Sequence, residues 1–229
     1  MEHKHMMMKI YRIGSYHPFY TGEADTRKEL VVQAMESGAD LLNANFFCYD
    51  LTDTNLTGGN FTGSCFYLAN LSRSNCSGAI FWNANLSGVN FSGTNLAGAD
   101  LTGAELISVN FNGSNLRDAY LDLIKADVWK VLSFADKDEA AGLLTAIKEG
   151  RVNGQVYVGK CACLVGTIAK IRRVSYNEIP GLKPDLYRPA ERWFTGIKER
   201  DTPEKNQISA ITAEWVEEWL GKAHQEVTA

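Results

Sequence analysis

Long apolar runs are missing from this 229-residue chain: none approaches the roughly 18 residues of a membrane-spanning helix. The N-terminus also lacks the apolar core of a secretory signal. Five cysteines, at 48, 65, 76, 161 and 163, form an odd set without framework spacing. That points to reduced thiols in a cytoplasmic setting rather than to a disulfide scaffold. Histidine is scarce, with four residues at 3, 5, 17 and 224. Cys161-Ala162-Cys163 therefore has no neighbouring histidine, nor the CxxC spacing of a metal or redox pair. Neither a G-x-S-x-G elbow nor a phosphate loop occurs. The expectation is a protein without catalytic residues, metal or cofactor.

What is present is an ordinary globular composition, 45% hydrophobic and 22% charged. Of the formal net charge of −4, residues 39–123 carry −5 (seven acids, two bases), residues 1–38 are balanced, and residues 124–229 carry +1. The acidic middle is also where an internal period appears. A bulky residue recurs every fifth position: Leu41, Phe46, Leu51, Leu56, Phe61, Phe66, Leu71, Cys76, Phe81, Leu86, Phe91, Leu96, Leu101, Leu106, Phe111, Leu116 and Leu121. The register has no insertion, and a mostly small residue stands two places before each of these. Neither the helical nor the strand period produces a spacing of five.

The pentads Ala84-Asn85-Leu86-Ser87-Gly88 and Ala99-Asp100-Leu101-Thr102-Gly103 carry a resemblance to the pentapeptide-repeat family. It implies a mainly β solenoid, a right-handed quadrilateral parallel β-helix over residues 39–123. Each pentad would form one side, with its central Leu or Phe and the small residue two before it pointing inward. Gly or polar residues between pentads would turn the corners. Four pentads close a coil, so residues twenty apart stack, and at ~4.8 Å per layer the tube is roughly 20 Å long.

The four sides then follow from the sequence. The inward small column of the fourth side is hydroxylic throughout, with Thr54, Ser74, Thr94 and Ser114, and these hydroxyls should bond to neighbouring backbone. Tyr49 is too large for its column and should turn toward the open N-terminal end. The third and fourth sides carry outward asparagines at 70, 90 and 110 and at 55, 75, 95 and 115. The first and second instead expose Leu42, Phe47, Tyr67, Leu68, Ile80, Trp82, Ile107 and Tyr120. Such a cluster marks an interaction or domain-packing surface. Its cover is the chain's own terminal segments, a second copy in a homodimer, or another protein.

A β-tube needs closed ends. Lys9–Ile13 reads as a strand. Thr26 to Glu29 is a capping box, followed by the helical stripe Leu30, Val31, Ala34 and Met35 and stopped by Gly38. This helix should sit over the first coil. Residues 124–229 read as a mainly α-helical C-terminal domain. Asp136 to Glu139 caps a helix with Leu143, Leu144 and Ile147, and a turn with a short strand spans 152–158. Cys161, Leu164, Val165, Ile168 and Ile171 share helical spacing, and Pro189 opens a helix with Trp193, Phe194 and Ile197. Thr202-Pro203-Glu204 opens another, striped by Ile208, Ile211, Trp215, Val216, Trp219 and Leu220. Three segments of this region (161–166, 188–194 and 201–204) are similar to tails of phage- and prophage-encoded pentapeptide-repeat proteins.

The functional expectation is a protein-binding or structural module, with a phage-encoded effector or inhibitor of a host protein as its finer form. The resemblance also implies an alternative, since some family members mimic duplex DNA and bind type II topoisomerases such as gyrase. Charge argues against that here. A ~20 Å length of duplex carries about 12 negative charges, against −5 over residues 39–123. Neither nucleic-acid nor membrane binding is expected.

Overall fold

The structure, a computed structural model, describes residues 6–154, 164–174 and 188–225. The strand expected over 152–158 and the Cys161–Cys163 pair fall wholly or largely outside them. The chain divides into two compact units, one ending at Leu121 and the other beginning at Asp122. Among the described residues no helix is long and apolar enough to cross a membrane.

In the first unit the period of five becomes a ladder with a period of twenty. Parallel bridges join Asn45 to Cys65, Asn55 to Asn75, Phe81's neighbour Ile80 to Asp100, and so on through Asp100 to Tyr120. Within each side the central residue's N–H donates to the next coil, as from Phe46 to the Cys65 carbonyl at 2.7 Å. The residue before it donates to the previous coil, as from Cys65 to the Ala44 carbonyl at 2.9 Å. A corner falls every fifth residue from 43 to 118, and all sixteen corner residues have positive φ, between 54° and 70°. Eight of them are glycine, which enters this region without steric cost. The others include Asn43, Asp53, Asn83 and Asp118, whose side chains tolerate it, and Leu68 and Arg73, whose side chains do not.

The tube interior is filled by buried leucines and phenylalanines. Phe61 stacks on Phe81 at 5.4 Å and Phe91 on Phe111 at 5.6 Å, each twenty residues apart in one column. Cys76 fills its place in the fourth column fully buried, and burial pushes its thiol up to about 12, so it stays protonated and unreactive. The hydroxylic column bonds as expected. Ser74 and Thr94 each donate at 2.6 Å to the carbonyl of the central leucine in the preceding coil, Leu51 and Leu71. Ser114 bonds within its own corner instead, to the Phe111 carbonyl at 2.7 Å.

The asparagines do more than face outward. Each accepts the backbone N–H two residues on, tying down its corner, as Asn90 does from Ser92 at 3.1 Å. Their amides also chain between coils: Asn90 donates to Asn70 at 3.0 Å and Asn110 to Asn90 at 2.9 Å, with a parallel series through Asn75, Asn95 and Asn115. Asn90→Ala removes three of these bonds at once and should cost about 1–2 kcal/mol. Asn55→Ala, at the exposed start of its column, should cost less in the same urea titration. Equal losses would show that the ladder contributes nothing.

The N-terminal segment closes the first coil. β1 (Met6–Tyr11) pairs antiparallel with β2 (Pro18–Ala24), with a bulge at Ile10/Tyr11. The strand thus begins three residues earlier than Lys9 and ends before Ile13, which is exposed. Its hairpin partner, rich in β-formers (Phe19, Tyr20, Thr21) behind a strand-initial proline, was not anticipated. Beyond β1 the chain bridges Arg12 to Ala44, and the Asn45 N–H reaches the Tyr11 carbonyl at 2.8 Å. That replaces the partner a preceding coil would have supplied. α1 (Arg27–Glu36) starts at the Thr26 capping box and ends before Gly38, with Leu30, Val31 and Ala34 buried. It lies against the first coil: the Arg27 guanidinium covers the Tyr49 ring at 4.7 Å. Tyr49 also meets Phe46 edge-on at 5.6 Å, so the oversized residue does face the end that α1 covers.

The second unit is helical. α2 (Asp122–Leu132) starts directly after the last corner side, so the repeat stops at Leu121, two residues short of the expected limit. α3 (Lys137–Lys148), α4 (Leu164–Arg172), α5 (Pro189–Phe194) and α6 (Gln207–Gln225) follow. α3 has the expected Asp136–Glu139 capping box, and Pro189 opens α5. α6 begins later than Thr202. Residues 202–205 form a turn closed by the Lys205 N–H on the Thr202 carbonyl, and Asn206 caps the helix by accepting from the Ser209 N–H at 3.0 Å. Arg172 grips Glu139 with two hydrogen bonds at 2.5 and 2.7 Å and holds its carboxyl below the usual carboxylate range. Because the folded pKa is depressed, this stabilisation is complete at neutral pH and is lost as pH falls below about 4.5. Glu139→Gln should flatten the decline of melting temperature in that acid range; an unchanged slope would assign the pH dependence to other groups.

Candidate functional site

Six of the eight residues singled out on the first two sides are exposed: Phe47, Tyr67, Leu68, Trp82, Ile107 and Tyr120. Leu42 and Ile80 are half-buried. The twenty-residue coil distributes them over columns. On the second side Phe47 and Tyr67 stand one coil apart, and their rings stack at 5.9 Å with planes 11° apart. Ser87 follows in that column, nearly buried, and then Ile107. On the first side Leu42 and Trp82 share a column but are two coils, about 10 Å, apart. Ile80 and Tyr120 bracket Asp100 in another column. The structure therefore makes a compact aromatic pair with neighbours, not one continuous eight-residue patch.

Leu68 adjoins the pair at a corner, with φ 58° and half its surface exposed. A leucine in the left-handed region costs about 1–2 kcal/mol. The inter-coil bond from its N–H to the Ser87 carbonyl at 3.0 Å holds the backbone there, and the side chain stands outside the tube. It lies over Gly88, where any Cβ would come within 2.7 Å of the Leu68 Cδ2 atom.

A second feature, not legible in the sequence, meets the aromatic column at Phe47. A groove of about 650 Å³ runs between the N-terminal segment and the first coil. Met6, Met7, Met8 and Lys9 of β1, Tyr11, Arg27 and Leu30 form one wall, and Asn45, Phe47, Cys48 and Tyr49 the other. Among the described residues its charged lining is Lys9 and Arg27, both cationic, within a unit whose coils are acidic. Burial raises the Tyr49 hydroxyl pKa, offset in part by the Arg27 charge. No group of three or more potential metal ligands occurs among the described residues.

The family model for pentapeptide repeats, spanning eight copies, matches residues 69–106 and 84–122. It covers coils and ends at Asp122, the first residue of the helical unit, so the likeness of that unit to phage-encoded tails gains no support from it. No curated protein matches the chain. Among solved structures, the chain is similar to alr5209, a pentapeptide repeat protein from Nostoc PCC 7120, at 32% identity over 42% of this chain and 75% of that one, with a TM-score of 0.36. It is similar to the pentapeptide repeat protein Rfr23 from the cyanobacterium Cyanothece 51142 at 35% identity, over 35% of this chain and 55% of the other, with a TM-score of 0.21. It is also similar to QnrB1, a plasmid-mediated fluoroquinolone resistance protein, at 24% identity, over 34% and 44%, with a TM-score of 0.28. The chain thus spans three quarters of the first and about half of the other two. With the family model matched twice inside an unbroken ladder of twenty-residue coils, the chain belongs to the pentapeptide-repeat family, whose fold is a right-handed β-helix.

Proposed function

We propose that this protein is a non-catalytic binding module whose first and second sides receive a protein partner. The observation that carries the reading is the stacked Phe47–Tyr67 pair flanked by Leu68, exposed on a tube whose other sides close their polar groups into asparagine ladders. Large aromatic side chains supply contact area at low entropic cost, which suits a binding hot spot. The helical unit, with its own core, would serve as a second domain, and cytoplasmic residence follows from the thiol chemistry read in the sequence. A phage-encoded effector acting on a host protein is the finer form of this reading.

A photo-crosslinking residue placed at position 67 or 82 tests it in the native cell. Either site should yield a discrete protein adduct, and position 75, on the asparagine ladder, should not. A band at twice the chain mass would name a second copy as the partner. Absence of adducts, or equal labelling at position 75, would sink the proposal. Trp82→Glu should weaken the adduct formed from position 67 while leaving the melting temperature within a degree or two, because half of the indole is already in water. The topoisomerase alternative has its own readout: micromolar protein should leave gyrase supercoiling unchanged.

A further inference from the structure

We infer that the groove beside β1 is a docking site for an extended, acidic peptide segment of another protein, which adds to β1 as a strand. Among the described residues the sheet has two strands, so β1 has one edge without a neighbour there. Beyond Arg12 the coil takes up the pairing, but among the described residues Met6–Ile10 make backbone hydrogen bonds to β2 alone. Successive residues of a strand point to opposite faces. Met6, Met7, Met8 and Lys9 nevertheless all line the groove, so it runs along the strand's edge and presents the backbone itself. An edge of unpaired N–H and C=O groups is a template for a further strand.

Side chains define the guest. Among the described residues Lys9 and Arg27 are exposed and form no ion pair, Arg27 lying over the Tyr49 ring, and no acid lines the groove, so carboxylates on the incoming strand would meet complementary charge. Met6 and Met7, both 62% exposed, offer flexible apolar contact, and Phe47 closes the far wall. A guest alternating acidic and apolar residues fits both requirements.

The site is distinct from the aromatic column except at Phe47, so the two proposals fail separately. The test is selection of random dodecapeptides against the full chain, with counter-selection against the double variant Lys9→Glu, Arg27→Glu. An acid at position 27 suits the start of α1, so the variant should fold. Enriched peptides should be acidic and alternating. Their affinity should fall about tenfold or more in the double variant and on N-methylation of alternate peptide groups, which blocks strand pairing. It should also weaken with salt and be unchanged in Trp82→Glu. No enrichment, enrichment without acidic bias, or affinity that survives N-methylation would overturn the inference. So would self-association of the chain that the double variant abolishes, since the edge would then belong to a second copy.

Discussion

Replacing Phe81 with alanine is expected to destabilise the coils by about 3–5 kcal/mol, the largest effect of any single truncation in the tube. Phe81 is fully buried at mid-stack. Its ring lies on Phe61 at 5.4 Å and meets Phe66 and Phe91 edge-on at 5.6 and 5.9 Å. The surroundings cannot collapse into the space. The Phe81 N–H is fixed to the Asp100 carbonyl at 2.8 Å, and the Ile80 N–H to that of Gly59 at 2.9 Å, so the coils above and below hold the walls apart. The cavity term therefore adds to the lost transfer term. Urea unfolding followed by circular dichroism reads the loss, and amide exchange should rise first in the coils either side of residue 81. Leu121→Ala, at the last and least enclosed central position (8% exposed), should cost clearly less. A loss below about 1 kcal/mol at Phe81 would mean that the stack relaxes, and would contradict the rigid-wall account.

Trp193→Ala should have a comparable effect in the helical unit, also about 3–5 kcal/mol. The indole is 1% exposed, packs on Trp215 at 5.5 Å, and donates its N–H to the Thr212 hydroxyl at 2.9 Å. Thr212 in turn donates to the Ile208 carbonyl at 2.6 Å. Trp193 thus joins α5 to α6 by both packing and a buried hydrogen bond. Trp193→Phe keeps most of the volume and loses the bond, so it should retain more than half of the stability lost in the alanine variant. Intrinsic fluorescence during thermal unfolding distinguishes the two. If both variants lost equally little, the core of this unit would have to lie elsewhere.

These residues also show where sequence reasoning reached and where it stopped. The central column and the hydroxylic column were legible as an unbroken five-residue period, and the twenty-residue stacking followed from the resemblance of that period to the pentapeptide-repeat family, in which four pentads close a coil. The capping boxes at Thr26 and Asp136 were legible for a similar reason, since each is a bond between residues three apart. The start of α6 was misread because Asp201-Thr202-Pro203-Glu204 carries a helix-opening signal that the turn absorbed, while Asn206 supplied the cap. β2 was missed because its pairing with β1 is a contact between segments, and Met6–Met8 carry no alternating pattern.

For the candidate site the division is the same. The sequence by itself determined which residues would lie outside the tube and in which column, including Phe47, Tyr67 and Trp82, because position within a pentad sets direction. Only the tertiary structure decided that Phe47 and Tyr67 stack while Leu42 and Trp82 do not meet, since that depends on which coil each column residue occupies and on ring orientation. Likewise the groove along β1 depends on a hairpin turning back across the first coil, a long-range arrangement that no local period encodes.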